Sequence, residues 1–311
     1  MVWLLYLAGL PGGHLLTMTD SRKPQLLPYL ALGVGVLSLG VAAIFVRWAN
    51  APGPVTSFYR LTIASLLLAW PFYRRRAQVK EPLPLKGLQI AVLGGLFFAG
   101  DLAFWASGVV LSGATNPTLL LNTAPLWVGL GTLFLFRERL GLTFWLGLAV
   151  AMSGALVVLG LDSVRSLSLG LGTLLGLLAG IFHAGYFLTT QRGRQMLDSL
   201  SYFWLAAVSS TFGLLAVSLI LGHSLTGYST FTYLNFVALG LVSQIFGHFS
   251  INYALGYLPA SLVAPTLLGQ PVVTAILAGP LLGEKLYTWQ VAGGLLVLMG
   301  VYAVHRSRAT E

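Results

Sequence analysis

The chain alternates between long uncharged apolar runs and short stretches of glycine, proline or charge. Runs such as LLPYLALGVGVLSLGVAAIFV and GLLVLMGVYAV have a length suited to crossing hydrocarbon, which takes about 20 helical residues. Hydropathy read with the punctuation predicts ten helices, over 28–48, 54–72, 86–111, 114–136, 142–160, 168–191, 198–222, 230–256, 260–282 and 286–305. Connections such as Asn50-Ala51-Pro52-Gly53, Ser112-Gly113 and Leu258-Pro259 are short turn sequences. None of them has room for a soluble domain.

Composition turns this pattern into a class. Of 311 residues, 57% are hydrophobic and only 8% charged, against about a quarter charged in soluble domains. That is the composition of a multi-pass membrane protein. The net charge of +9 sits at helix ends rather than in a basic stripe, so it reads as topology and gives no reason to expect nucleic acid. With the N-terminus inside, Arg22, Lys23, Arg74, Arg75, Arg76, Lys80, Lys86, Arg137, Arg139, Arg192, Arg194, Arg306 and Arg308 are cytoplasmic, against Arg47, Arg165 and Lys285 outside. The expectation is a plasma-membrane protein with both termini cytoplasmic. Residues 1–27 form an N-terminal segment without a basic leader region, in which Met18 is a candidate true start; residues 306–311 are a short tail. The absence of cysteine excludes disulfides, thiolate nucleophiles and cysteine-bound zinc.

An internal repeat organises the helices. A shift of 146 positions places Ala114 on Ala260, Leu121 on Leu267, Pro125 on Pro271, Glu138 on Glu284, Leu140 on Leu286, Gly147 on Gly293 and Gly154 on Gly300 without gaps. The two units are 28–160 and 161–305, five helices each. Because five is odd, the second unit crosses the membrane in the opposite sense. The predicted fold is therefore all-α and integral to the membrane, with two inverted five-helix repeats around a central cavity, the construction of many secondary transporters.

The run AGDLAFWASGVVLSGATNPTLLLNTAPLWVGLGTLFLFRERL, its counterpart INYALGYLPASLVAPTLLGQPVVTAILAGPLLGEKL, and the segment SFYRL resemble the paired signature of EamA-type proteins in the drug/metabolite transporter superfamily. The resemblance covers about residues 28 to 305. It implies a ten-helix carrier that moves small organic metabolites, often amino acids outward, and it does not name the cargo.

Ionisable residues inside spans cost about 2.5–3.5 kcal/mol on insertion scales and mark functional sites by default. Here they are Arg60, Asp101, His183 and His248, the candidates for an ion pair or for coupling. Counting helical rise from the predicted ends puts Arg60 and Asp101 in the outer half and the two histidines in the inner half. This predicts an Arg60–Asp101 pair and argues against direct Asp101–His248 contact. Asp101 shares a helical face with Phe97, Phe98, Phe104 and Trp105. That face reads either as a cavity wall that binds a proton or an ammonium, or as a packed structural pair. Gln244, His248 and Asn252 form one polar stripe and Thr266, Gln270 and Thr274 another, with Thr115, Thr118 and Asn122 as a weaker counterpart. Asp101, Trp105, Asn122, Tyr186, His248 and Gln270 are the predicted cavity residues. Pro125 and Pro271 are predicted hinges or static kinks. The glycines of the sixth helix and the repeated Gly147/Gly154 and Gly293/Gly300 pairs predict close packing, while Glu138 predicts a helix-end salt bridge.

There is no phosphate loop, no H-E-x-x-H and no G-x-S-x-G. ATP-driven pumping by this chain, catalysis, a cofactor and a metal site are accordingly not expected. The predicted function is an alternating-access carrier, in the exporting direction, for amino-acid-like or amphipathic metabolites, with protons as the candidate coupling ion. A channel is the first alternative, although its continuous polar pore is not evident. A sugar-phosphate or nucleotide-sugar carrier would need converging basic groups where only Arg60 offers itself, and an intramembrane enzyme has the least support. Oligomeric state is left open.

Overall fold

A computed structural model describes residues 26–79, 81–112, 115–160, 170–283 and 286–309. The N-terminal start, Ala114, Arg165, Glu284 and Lys285 lie outside the described residues. The described residues are almost entirely helical and form ten spans long and apolar enough to cross a membrane. These are α1 (Leu26–Ala49), α2 (Gly53–Gln78), α3 (Leu85–Ser112), α4 (Asn116–Leu135), α5 (Leu142–Leu159), α6 (Leu171–Arg194), α7 (Ser199–Ile220), α8 (Thr230–Ala254), α9 (Ala260–Leu282) and α10 (Thr288–Ala309).

Two ends differ from the sequence expectation for local reasons. Helix α2 continues through Pro71 to Gln78, with Arg75 and Arg76 in its last turn, where cations suit the negative end of the helix. Helix α7 starts sharply because Asp198 caps it, its carboxylate accepting from Leu200 N, Ser201 N and the Ser201 hydroxyl.

Packing follows the repeat. Helix α6 lies against α3 and α4, and its counterpart α1 lies against α8 and α9; α7 lies against α2 and α3, and α2 against α7 and α8. Helices α5 and α10, equivalent to one another, pair side by side. Each of these contacts is carried into another of the set when the halves are exchanged, as an inverted repeat requires. The α5–α10 approach depends on the predicted glycines: a Cβ at Gly154 would lie 2.5 Å from Val297 N, and one at Gly300 would lie 2.5 Å from Gly147 O. No larger residue fits there without moving backbone. Around the bundle, Leu37, Leu66, Trp70, Phe134, Leu146, Phe212, Ile220 and Met299 are exposed. An apolar surface on that scale is what lipid covers.

Both equivalent helices α4 and α9 are interrupted at matching points. Pro125 cannot donate to the carbonyl four residues back, and a turn at Asn122-Thr123 separates Thr115–Leu121 from Ala124–Leu135. Pro271 has the same effect, with one 3-10 turn at Leu267–Gly269 before Gln270–Leu282. Under the repeat shift, 122–123 falls on 268–269.

Candidate functional site

The α3–α6 seam brings together the ionisable residues of the spans. Close approach is set by small residues: a Cβ at Gly185 would lie 2.7 Å from the Phe97 ring. Within this seam Asp101 is 2% exposed, and its Oδ2 lies 2.6 Å from His183 Nδ1. One proton shared between them satisfies both atoms. Asp101 Oδ1 has no hydrogen-bond partner. Aromatic rings enclose the pair: His183 meets Phe187 edge-on at 4.5 Å, Phe98 stacks on Tyr186 at 4.5 Å, and His248 of α8 lies 4.7 Å from Phe98. Three elements, α3, α6 and α8, thus meet around one carboxylate.

The expected Arg60–Asp101 ion pair does not form; the partner of Asp101 is His183. Depth counted from predicted helix ends misled here. Helix α3 is 28 residues long and α6 is 24, so both exceed the hydrocarbon and their ends are not level. Counted along the observed helices, Asp101 and His183 both fall near mid-span. The Phe98 ring of α3 contacts His248.

Arg60 is 8% exposed and lies within electrostatic reach of Asp101 and His248. Its guanidinium makes no hydrogen bond or ion pair among the described residues, and Nε is buried without a partner. It faces an irregular stretch of α8, where Gly240–His248 is a π-helix. A Cβ at Gly240 would lie 2.7 Å from Ile63 Cγ2 and 3.3 Å from Arg60 O. His248 Nδ1 lies 3.0 Å from Ser243 O, whereas both side-chain amide atoms of the fully buried Gln244 lack partners. π segments of this kind often coincide with functional sites. Sequence reasoning did not find it, because a π-turn has no compositional signature.

The remaining predicted residues are more dispersed. Trp105 Nε1 donates to Thr118 Oγ1 at 3.0 Å, and Asn122 Nδ2 donates to Thr118 O at 2.9 Å, so two of them meet on one turn of α4. Gln270 is half-buried beside the α9 break and makes no side-chain hydrogen bond among the described residues. Asn252 instead bonds Ser199 O, and Thr274 bonds Gly40 O, which are packing roles between helices. An apolar groove of about 420 Å³ lies between α4 and α6, lined by Trp127, Gly131 and Phe134 of α4, Ile181 and Leu188 of α6 and Phe97 of α3; Phe134 and Ile181 are exposed on the bundle surface.

A second polar cluster lies at one end of the bundle and contains the helix-end salt bridge expected of Glu138, with partners the sequence did not indicate. Arg308 of α10 bonds Glu138, beyond the end of α4, and also Ser261 of α9 at 2.9 Å, while Ser261 Oγ donates to Glu138 at 3.0 Å. Nearby, Gln191 Oε1 accepts from Ala260 N at 2.7 Å, and Thr266 Oγ1 lies 2.8 Å from His305 Nε2. The partners of Glu138 are 123 and 170 residues away, beyond any local pattern.

Ten spans in two inverted halves, broken helices in matched positions and ionisable groups buried where the halves meet define a membrane transporter architecture. The chain belongs to the EamA-like transporter family, whose model matches residues 26–160 and 170–306. It is similar to the uncharacterized transporter YdfC of Bacillus subtilis, 26% identical over 79% of each chain. An uncharacterized transporter of Archaeoglobus fulgidus is 26% identical over 79% of this chain and 85% of its own. A solved crystal structure shares the fold with a TM-score of 0.73 at 19% identity, covering 90% of this chain and 98% of the other.

Proposed function

We propose that this transporter is a secondary carrier that exports small amino-acid-like or amphipathic metabolites across the plasma membrane by alternating access, with both termini cytoplasmic. The observation that carries the reading is the buried Asp101–His183 pair at mid-span, on a seam between one helix of each half. A carboxylate and an imidazole sharing a proton there make a proton or cation site that each half covers from one side. The groups facing it are Arg60 on α2, Tyr186 on α6 and His248 on α8. The apolar groove between α4 and α6, which Phe97 of α3 also lines, suits the nonpolar part of an amphipathic cargo. Orientation rests on the excess of basic residues at one set of loops, which makes the Glu138–Ser261–Arg308 cluster a closure on the cytoplasmic side. Pro125 and Pro271 are the proposed hinges.

The test is counterflow in proteoliposomes, using labelled amino acids and small amphipathic metabolites, with and without a proton gradient. Saturable exchange is expected with the wild type. Asp101→Asn should retain exchange and lose gradient-driven accumulation. Folded protein that exchanges none of these compounds would refute the carrier reading for this cargo class, and accumulation by Asp101→Asn equal to wild type would remove proton coupling from this carboxylate.

A further inference from the structure

Arg60 is the largest unspent interaction in the protein. A guanidinium offers five N–H donors and stays charged in any membrane protein interior. Burying it without partners is unfavourable by several kcal/mol in general. Yet Arg60 is 8% exposed, makes no hydrogen bond or ion pair among the described residues, and has its Nε fully occluded. The nearest available carboxylate, Asp101, is engaged by His183 through Oδ2. The π segment of α8 that packs Gly240 against the Arg60 backbone also holds Gln244, fully buried with both amide atoms unbonded. The π-turn sets this register: Gly240 lies against Arg60, and Gln244 follows four residues on in the same segment, between Gly240 and His248.

We infer that Arg60 and Gln244 form a carboxylate-binding subsite between α2 and α8, occupied by the carboxylate group of a transported organic monoanion. The inference rests on the carrier reading above for its place in the transport cycle. A carboxylate matches the donors in geometry, since its two oxygens accept the paired N–H groups of a guanidinium fork and a further lone pair accepts from an amide NH₂. It also matches in charge. One guanidinium neutralises one negative charge, and the neighbouring Asp101 disfavours a second, which counts against phosphate dianions. Chloride carries the right charge but cannot use the fork. The rings of Phe98, Tyr186 and His248 place an aromatic and apolar boundary beside the anion.

Binding is read on the full-length protein in detergent, by the rise in Tm on titration with benzoate and acetate against benzamide and acetamide, with chloride and phosphate as inorganic arms. The expected result is saturable stabilisation by the acids and none by the amides, with apparent Kd weakened at least about tenfold in Arg60→Gln, the loss of a charge-assisted hydrogen bond. Because Arg60→Gln can fail to fold, Arg60→Lys and Gln244→Met are run beside it; each should weaken benzoate while leaving the unliganded Tm close to wild type. Equal stabilisation by acid and amide overturns the subsite, as does no stabilisation by any acid. Stabilisation by chloride or phosphate equal to that by benzoate overturns its selectivity for carboxylate. The two readings separate cleanly: Arg60-dependent binding without exchange of any solute leaves the subsite and removes the carrier, whereas exchange of amino acids and their amides alike leaves the carrier and removes the subsite.

Discussion

The α3–α6 contact and the α8–α1 contact are the same contact in the repeat, and they are built from different chemistry. On the first, Asp101 meets His183 among stacked rings. On the second, the repeat shift puts Gly247 and Leu37 at those positions, and Gly247 packs beside Leu39. Arg60 likewise has Ala206 as its equivalent. The backbone scaffold is symmetric, as the paired helix contacts and matched breaks in α4 and α9 show, while the Asp101–His183 pair has no ionisable counterpart at the equivalent positions of the α8–α1 contact. In the proposed alternating-access cycle, symmetry of the scaffold would supply two similar conformations for the halves to exchange, and asymmetry of the side chains would leave one place for a charged ligand.

The π segment marks where the two halves diverge in backbone. Gly95 of α3 packs against Ala206 and Ser209, and Gly240 of α8 packs against Arg60 and Ile63. Arg60 and Ile63 are related to Ala206 and Ser209 by the repeat shift of 146, yet Gly95 and Gly240 are 145 apart. The repeat resumes at 146 in the helices that follow. The π-helix at Gly240–His248 is where one extra residue is absorbed, which is what a π-bulge does to a helix.

The largest expected effect breaks the charged contact. His183→Leu leaves Asp101 buried and unpaired, and removing one partner of a buried pair costs about 3–5 kcal/mol. Thermal unfolding in detergent should show the loss, and Asp101→Leu combined with His183→Leu should recover part of it. Additive losses in that double-mutant cycle would mean that the two side chains do not interact.

The next tests the symmetric part. Gly154 and Gly300 are equivalent positions neither of which has room for a Cβ, so Gly154→Val and Gly300→Val should each destabilise by about 1–3 kcal/mol or more, the range for overpacking. The two should be alike, in contrast to Asp101 and Gly247. A large difference between them in Tm would show that the α5–α10 pair is less symmetric than its backbone.

How much of this was legible in the sequence follows the same division. The ten spans, the repeat and the glycine pairs are local or periodic signals, and the 146-residue self-similarity marked Gly147, Gly154, Gly293 and Gly300 as close-packing positions without saying that α5 and α10 pack on one another. Asp101, His183, His248 and Arg60 stood out because charge in hydrocarbon is costly. Their pairing did not, since it depends on how far α3 and α6 slide past one another. Ser261 and Arg308 carried no signal at all: a serine and a helix-end arginine are ordinary until folding brings Glu138 between them.

A smaller effect concerns the Glu138–Ser261–Arg308 cluster at one end of the bundle. Arg308 and Glu138 are 15% and 18% exposed, so Glu138→Gln removes a partly screened charge pair, about 1 kcal/mol, and should favour opening at that end. The chain has no cysteine, so Asn122→Cys can be alkylated without background. Glu138→Gln should raise its labelling rate from the side that the proposed orientation makes cytoplasmic several-fold, up to about tenfold for 1.4 kcal/mol. An unchanged rate would assign the cluster to static bracing.

The smallest effect is expected on the apolar side of the comparison. A Cβ at Gly247 would lie 2.8 Å from Leu39 Cδ2, the far end of a flexible side chain, and 3.2 Å from Leu39 Cγ. Rotation of Leu39 accommodates it, and removing a glycine from a helical span is itself mildly favourable. Gly247→Ala should therefore change stability by less than about 0.5 kcal/mol, the usual range away from special features, and leave exchange kinetics at the wild-type rate. Gly247→Asp places a carboxylate at the position equivalent to Asp101, with Leu37 where His183 would have to be. It should destabilise strongly and confer no second proton site, because the equivalence of the two contacts ends at the backbone. If Gly247→Asp instead folds as stably as wild type and doubles the protons moved per solute in counterflow, the two sides are interchangeable and the asymmetry of charge has no mechanistic role.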